Sequence, residues 1–118
     1  MKKEIELMID VLSEKKAEDI LVVQFEEGQH SVADHIIVVS ALNAVHLKSL
    51  CADLQRFYKK NKQDALGELD YIGVSGNPES LWVILDFNDL IIHIMEKDLR
   101  VQYDFDNLFA TDENYRYH

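Results

Sequence analysis

Apolar residues along this chain follow two rhythms, and the switches between them divide it into elements. Ile5, Met8, Ile9 and Leu12 recur at i, i+3, i+4 and i+7, the spacing that gathers side chains on one helical face, and predict a helix over residues 3–16. "DILVVQF" (19–25) and "HIIVVS" (35–40) are dense apolar runs of strand length. Between them "EEGQHS", with Gly28, supplies a polar turn, and the short connection predicts an antiparallel hairpin, with Asp34 marking the entry of its second strand. Asn43 is a capping residue, and Leu47, Leu50, Cys51, Leu54, Phe57 and Tyr58 then repeat at helical spacing up to "KKNK", which predicts the longest helix. "YIGV" (71–74), the turn "SGNPES" and "LWVILDF" return to the strand rhythm, so a meander of strands three, four and five is expected. Two helices and five strands then make an α/β fold, a mixed sheet of about five strands flanked by helices, in one domain over residues 1–118.

"WVILDFNDLIIHIM" (82–95) allows a sharper prediction. A two-residue turn over Phe87-Asn88 or Asn88-Asp89 places even positions of the first strand with odd positions of the second. Trp82, Ile84, Asp86, Ile91, His93 and Met95 then share one face, and the uniformly aliphatic Val83, Leu85, Leu90, Ile92 and Ile94 turn to the core. An odd loop with a bulge would exchange the two faces.

Composition limits what such a domain can do. The formal net charge is −10, but residues 1–63 carry nine Lys/Arg against ten Asp/Glu, whereas residues 64–118 carry three against twelve. An acidic C-terminal half repels phosphate and argues against broad nucleic-acid binding through that half; it suits a basic protein partner or simply a solvated surface. Lys59, Lys60 and Lys62 complement the negative end of the second helix dipole, and the same cluster could touch RNA. The single Cys51 excludes an internal disulfide and reads as a small buried side chain. The five histidines lack metal-ligand spacing, so no metal or cofactor is expected. The N-terminus resembles neither a signal peptide nor a membrane span, which leads to the expectation of a cytoplasmic protein with no membrane contact.

The mixed face carries the candidate chemistry. Trp82 offers apolar area while Asp86 and His93 offer orientation, the combination found at protein contacts. The competing structural reading puts Trp82 under a terminal helix and gives His93 a backbone carbonyl as hydrogen-bond partner. A Ser75–His93–Asp86 triad can be drawn, but "GVSG" (73–76) does not meet the Gly-x-Ser-x-Gly spacing of a nucleophile elbow.

The ordered series "KAEDI" (16–20), "ADHIIVVS" (33–40), "WVILDFNDLIIHIM" (82–95), "LRVQY" (99–103) and "YDFDNLF" (103–109) resembles the ribosomal silencing factor, or Iojap-like, family over most of the chain. Matching positions are Ala17, Asp19, Ile20, Ala33, Asp34, Trp82, Val83, Asp86, Asp89, His93, Arg100, Tyr103 and Leu108. The chain departs from the family pattern at Ala41-Leu42-Asn43, where a Gly-x-Ser is usual. It departs again at Ser75-Gly76, where Glu-Gly is usual, and at Phe105-Asp106-Asn107-Leu108-Phe109, where Leu-Glu-x-Leu-Trp is usual.

What this resemblance implies is a factor that docks on the large ribosomal subunit, chiefly through its ribosomal protein fourteen, and sterically blocks joining of the small subunit in starvation or stationary phase. It further implies no enzymatic activity, at most limited rRNA contact, and leaves open a homodimer in the free state. The implied contact residues are Trp82, Asp86, His93, Arg100, Tyr103, Asp106, Leu108 and Phe109, with Ala17, Asp19, Ile20, Ala33, Asp34 and Asp89 in the scaffold. The family's sheet is similar to the nucleotidyltransferase fold, so an enzyme of that kind, or a large-subunit assembly factor, is the alternative. Against the enzyme, Asp86 and Asp89 flank a turn without an Asp-x-Asp pair, and no Gly-Ser precedes a helix.

Overall fold

A computed structural model describes residues 2–25, 33–109 and 114–117. The chain runs α1 (Lys3–Glu14), β1 (Glu18–Gln24), β2 (His35–Ala41), α2 (Ala44–Asn61) and β3 (Gly73–Asn77). A 3-10 turn (Pro78–Ser80) then leads to β4 (Trp82–Asp86), β5 (Leu90–Glu96), α3 (Lys97–Gln102), a second 3-10 turn (Phe105–Phe109) and β6 (Asn114–Tyr117). The sheet order is β3-β4-β5-β2-β1-β6. The α/β class, the mixed sheet, the β1–β2 hairpin and the β3–β4–β5 meander agree with the sequence; β2 and β5 pair in parallel and join the two halves. The elements are more numerous than expected, because the short α3 and the C-terminal β6 join the two helices and five strands.

Local chemistry sets the boundaries. α1 stops at Glu14 because Lys16 takes a left-handed conformation (φ 70°). Asn43 begins α2 by accepting from the backbone of His46 at 2.8 Å, the cap read from sequence. The His46 ring then ties the helices together: Nδ1 accepts from the Leu42 N–H and Nε2 donates to the Lys15 carbonyl, both at 2.9 Å. β3 starts two residues later and ends three residues later than the predicted 71–74, since pairing with β4 draws "GVSGN" into the sheet despite its turn-like composition. Gly76 is required there: its φ is 74°, and a Cβ would lie 2.3 Å from the Trp82 carbonyl oxygen. The turn residues around Gly28 lie outside the described residues.

The predicted parity holds. Phe87 N–H donates to the Leu90 carbonyl at 2.8 Å across the two-residue Asn88–Asp89 turn, and Trp82, Ile84 and Asp86 pair with Met95, His93 and Ile91. Val83, Leu85, Leu90, Ile92 and Ile94 are buried against the apolar stripes of α1 and α2, so both long helices lie on one side of the sheet. Burying each such side chain stabilises the fold by about 1.5–3 kcal/mol before entropy is counted. The other side carries a smaller cluster, in which Leu21, Val23, Ile36, Val38 and Met95 meet Phe105 from the C-terminal segment. Cys51 is half-buried beside the first core, and burial pushes its thiol pKa up, away from reactivity.

Candidate functional site: an aromatic sheet face and its buried arginine

The second side of the sheet is where the sequence placed its candidates. His93 in the middle of β5 pairs with Ile84, two residues along β4 from Trp82, so the two side chains are diagonal neighbours on one face and their rings meet with centroids 5.9 Å apart. The Trp82 indole N–H donates to His93 Nδ1 at 3.1 Å, which fixes the imidazole as neutral with its proton on Nε2. The expected backbone-carbonyl partner of His93 is therefore replaced by a side chain. Phe105 sits over both rings, 5.4 Å from Trp82 edge-on and 4.9 Å from His93, while Tyr103 lies 6.1 Å from Trp82 and is 61% exposed.

This cover depends on how α3 begins and ends. The Glu96 carboxylate accepts from the backbone of Asp98 and Leu99 at 2.9 and 3.0 Å and starts the helix. Asp104, at φ 50°, turns the chain back so that Phe105 drops onto the sheet. Between them Arg100 points inward and is only 5% exposed. Its Nε and Nη2 donate to the two carboxylate oxygens of Asp106 at 2.7 and 2.9 Å. Its Nη1 donates to the Asp19 carbonyl at 2.6 Å and to Ser40 Oγ at 3.0 Å. β1 is irregular where the Asp19 carbonyl accepts this bond, with Asp19 at φ 47° and the ladder shifting between Glu18 and Leu21.

The sequence-selected residues thus separate by role. Arg100 and Asp106, expected as partner contacts, form a buried fork that bolts the C-terminal segment to β1 and β2; Arg100 presents no free surface for docking. Asp86 accepts from the Asn88 backbone at 2.8 Å and shapes the β4–β5 turn at the far end of the strand from Trp82. The drawn triad is not assembled: Ser75 and His93 lie on opposite sides of β4, about 10 Å apart by strand spacing, and His93 Nδ1 is occupied by Trp82. Among scaffold positions, Ile20 and Ala33 are buried and Ala17 packs on the core. The exposed Asp89 accepts from the backbones of Asp34 and His35 at 3.1 Å, which docks its turn on β2. Leu108 is 73% exposed; the Phe109 side chain lies outside the described residues. Sequence reasoning missed Ser40, Leu99 and the capping role of Phe105.

Two concavities flank this segment. An apolar groove of about 260 Å³ runs beside Trp82, lined by Gly76, Ser80, Ile84, Leu99 and Tyr103. A polar hollow of about 520 Å³ surrounds the Arg100 fork, lined also by Glu18, Asp98 and Asp104 and by one further base, Lys97. Burial pushes the His93 imidazole down to about 4. Its folded value therefore lies below the unfolded value of about 6.5, so the unfolded chain binds the proton first and stability is lost as pH falls from about 6.5 towards 4. The native protein is expected to lose about 3 kcal/mol more than His93→Phe over that window in denaturant titrations. His35, which burial also lowers, titrates alike in both proteins and cancels. Equal pH slopes for the two proteins would contradict the assignment.

Fold and face together define a mixed-sheet α/β domain with one side closed by long helices and the other by an aromatic cluster. The family model "Ribosomal silencing factor during starvation" matches residues 1–117, and this chain belongs to that family. Its relatives include the ribosomal silencing factor of Haemophilus influenzae, 26% identical over 90% of this chain and 97% of the relative, and that of Bacillus subtilis, 27% identical over 82% and 76%. A mouse protein named mitochondrial assembly of ribosomal large subunit protein 1 is 26% identical over 92% of this chain. The chain spans about half the length of the mouse and nematode relatives it matches, 46% and 57%. A crystal structure of a Chromobacterium violaceum protein superposes with a TM-score of 0.78 at 23% identity, over 95% of this chain and 88% of that one. Among the described residues no helix is long and apolar enough to cross a membrane.

Proposed function

We propose that this protein is a ribosomal silencing factor that binds the large ribosomal subunit through its ribosomal protein fourteen and prevents joining of the small subunit. The mechanism is steric and needs no chemistry. The observation that carries the reading is the pairing of an apolar groove beside Trp82 and Tyr103 with an acidic rim at Glu18, Asp98 and Asp104. The groove accepts apolar side chains, and the rim attracts a basic ribosomal protein and fixes its orientation. Family membership supports the same assignment. Arg100 and Asp106 serve it indirectly by holding Phe105 and Tyr103 where they shape the surface, and the protein works in the cytoplasm, where its partner is.

The test is sucrose-gradient sedimentation with purified large subunits at low salt. The protein is expected to travel with the subunit peak; retention at the top of the gradient would overturn the proposal. A second reading, action during large-subunit assembly, is favoured by the name of the mouse relative. Binding to immature particles but not to mature ones would select it.

A further inference from the structure

The side of the molecule opposite the aromatic face carries a charge pattern that docking on a basic protein does not use. α2 bears Lys48, Arg56, Lys59 and Lys60, all exposed, and at about 100° per residue they fall within an arc of about 120°. Leu47, Leu50 and Leu54 occupy the opposite, buried side of the helix. Asp53, the acid of this helix, is ion-paired with Arg56, and Lys48, Lys59 and Lys60 form no ion pair among the described residues. The stripe extends over about 18 Å, and the exposed Lys62 continues it past the helix end. The helix dipole accounts for Lys59 and Lys60 in the last turn, but not for Lys48 and Arg56, which lie away from the C-terminus. In a chain of net charge −10, α2 carries four Lys/Arg against one Asp.

We propose that the solvent face of α2 is a second contact site that takes the phosphate backbone of RNA. This deepens the large-subunit assignment, on which it rests in part, by naming a second partner for the same docking event. The α2 and Trp82 faces lie on opposite sides of the sheet, so one domain can hold a basic protein on one side and RNA on the other. Phosphates recur along each strand of a duplex at about 3.4 Å of axial rise, so a stripe of this length meets several in succession. The apolar side of α2 is already committed to the core, leaving no hydrophobic face to enter a lipid surface. The acidic C-terminal half repels RNA and keeps the contact away from that half.

The test is the triple variant Lys48→Gln, Lys59→Gln, Lys60→Gln, whose changes are all on exposed side chains. The plot of log affinity for large subunits against log salt is expected to become shallower by about 2 to 3, with affinity for isolated ribosomal protein fourteen unchanged. An unchanged salt slope, or an equal loss towards the isolated ribosomal protein, overturns the proposal. A second arm separates it from the reading on which it rests: the native protein, titrated with a short RNA duplex at low salt and followed by backbone amide shifts, should respond along α2. If the protein binds duplex there but ignores large subunits, the silencing assignment fails and the RNA site stands. If duplex leaves α2 unshifted while phosphatidylglycerol vesicles bind it, the site is a lipid contact and the proposal falls.

Discussion

Trp82→Ala is expected to lose at least 30-fold in affinity for the large subunit while remaining folded. The indole contributes one wall of the apolar groove, meets Tyr103 at a tilt and Phe105 edge-on, and donates to His93, so its removal empties the surface and unpairs a half-buried imidazole at once. Aromatic anchors at the centre of an interface commonly cost about 2 kcal/mol or more on truncation, which sets the size of the loss. Tyr103→Ala should show a smaller loss of affinity with little change in stability, because that ring is 61% exposed. Equilibrium binding and denaturant titration on both variants separate the two effects. Unchanged affinity in both, with the fold intact, would place the docking surface elsewhere.

Arg100→Met should act through the fold. The replacement removes a guanidinium with four donated hydrogen bonds and leaves the Asp106 carboxylate, Ser40 hydroxyl and Asp19 carbonyl without that partner. Breaking one side of a buried charged pair costs about 3 kcal/mol, which for a chain of this length lowers the melting temperature by about 10 °C. Arg100→Lys should recover little, since a single ammonium cannot reproduce the two-pronged contact with Asp106. Loss of Phe105 from the Trp82–His93 pair should accompany the destabilisation and be visible as a change in tryptophan fluorescence. A melting temperature within about 2 °C of the native value would remove the fork from the account.

These two residues show which parts of the structure could be read from the chain. α1, the Asn43 cap and the inward and outward faces of β4 and β5 follow from periodicity and turn length, which are local properties. β3 was displaced because glycine, asparagine and proline signal a turn, and only the partner strand makes Gly73–Asn77 extended. α3 has six residues, too few for a helical period to stand out, and it was missed. The aromatic face was visible because Trp82 and His93 share one hairpin. The role of Arg100 was hidden because its partners Ser40 and Asp19 lie 60 and 81 residues away in sequence. Family resemblance flagged all three residues, Asp19 in the scaffold and Arg100 and Asp106 among the partner contacts; the hydrogen bonds join them in one fastening.

The proposed silencing activity rests on obstruction, so the most direct measurement is subunit joining itself. Purified small and large subunits are mixed with increasing amounts of the protein and resolved on the same gradients. The seventy-S peak is expected to decline as the protein accumulates in the large-subunit peak, with half-inhibition near one copy per large subunit. An undiminished seventy-S peak with the large subunit saturated would show that the protein binds without blocking, and would contradict the account.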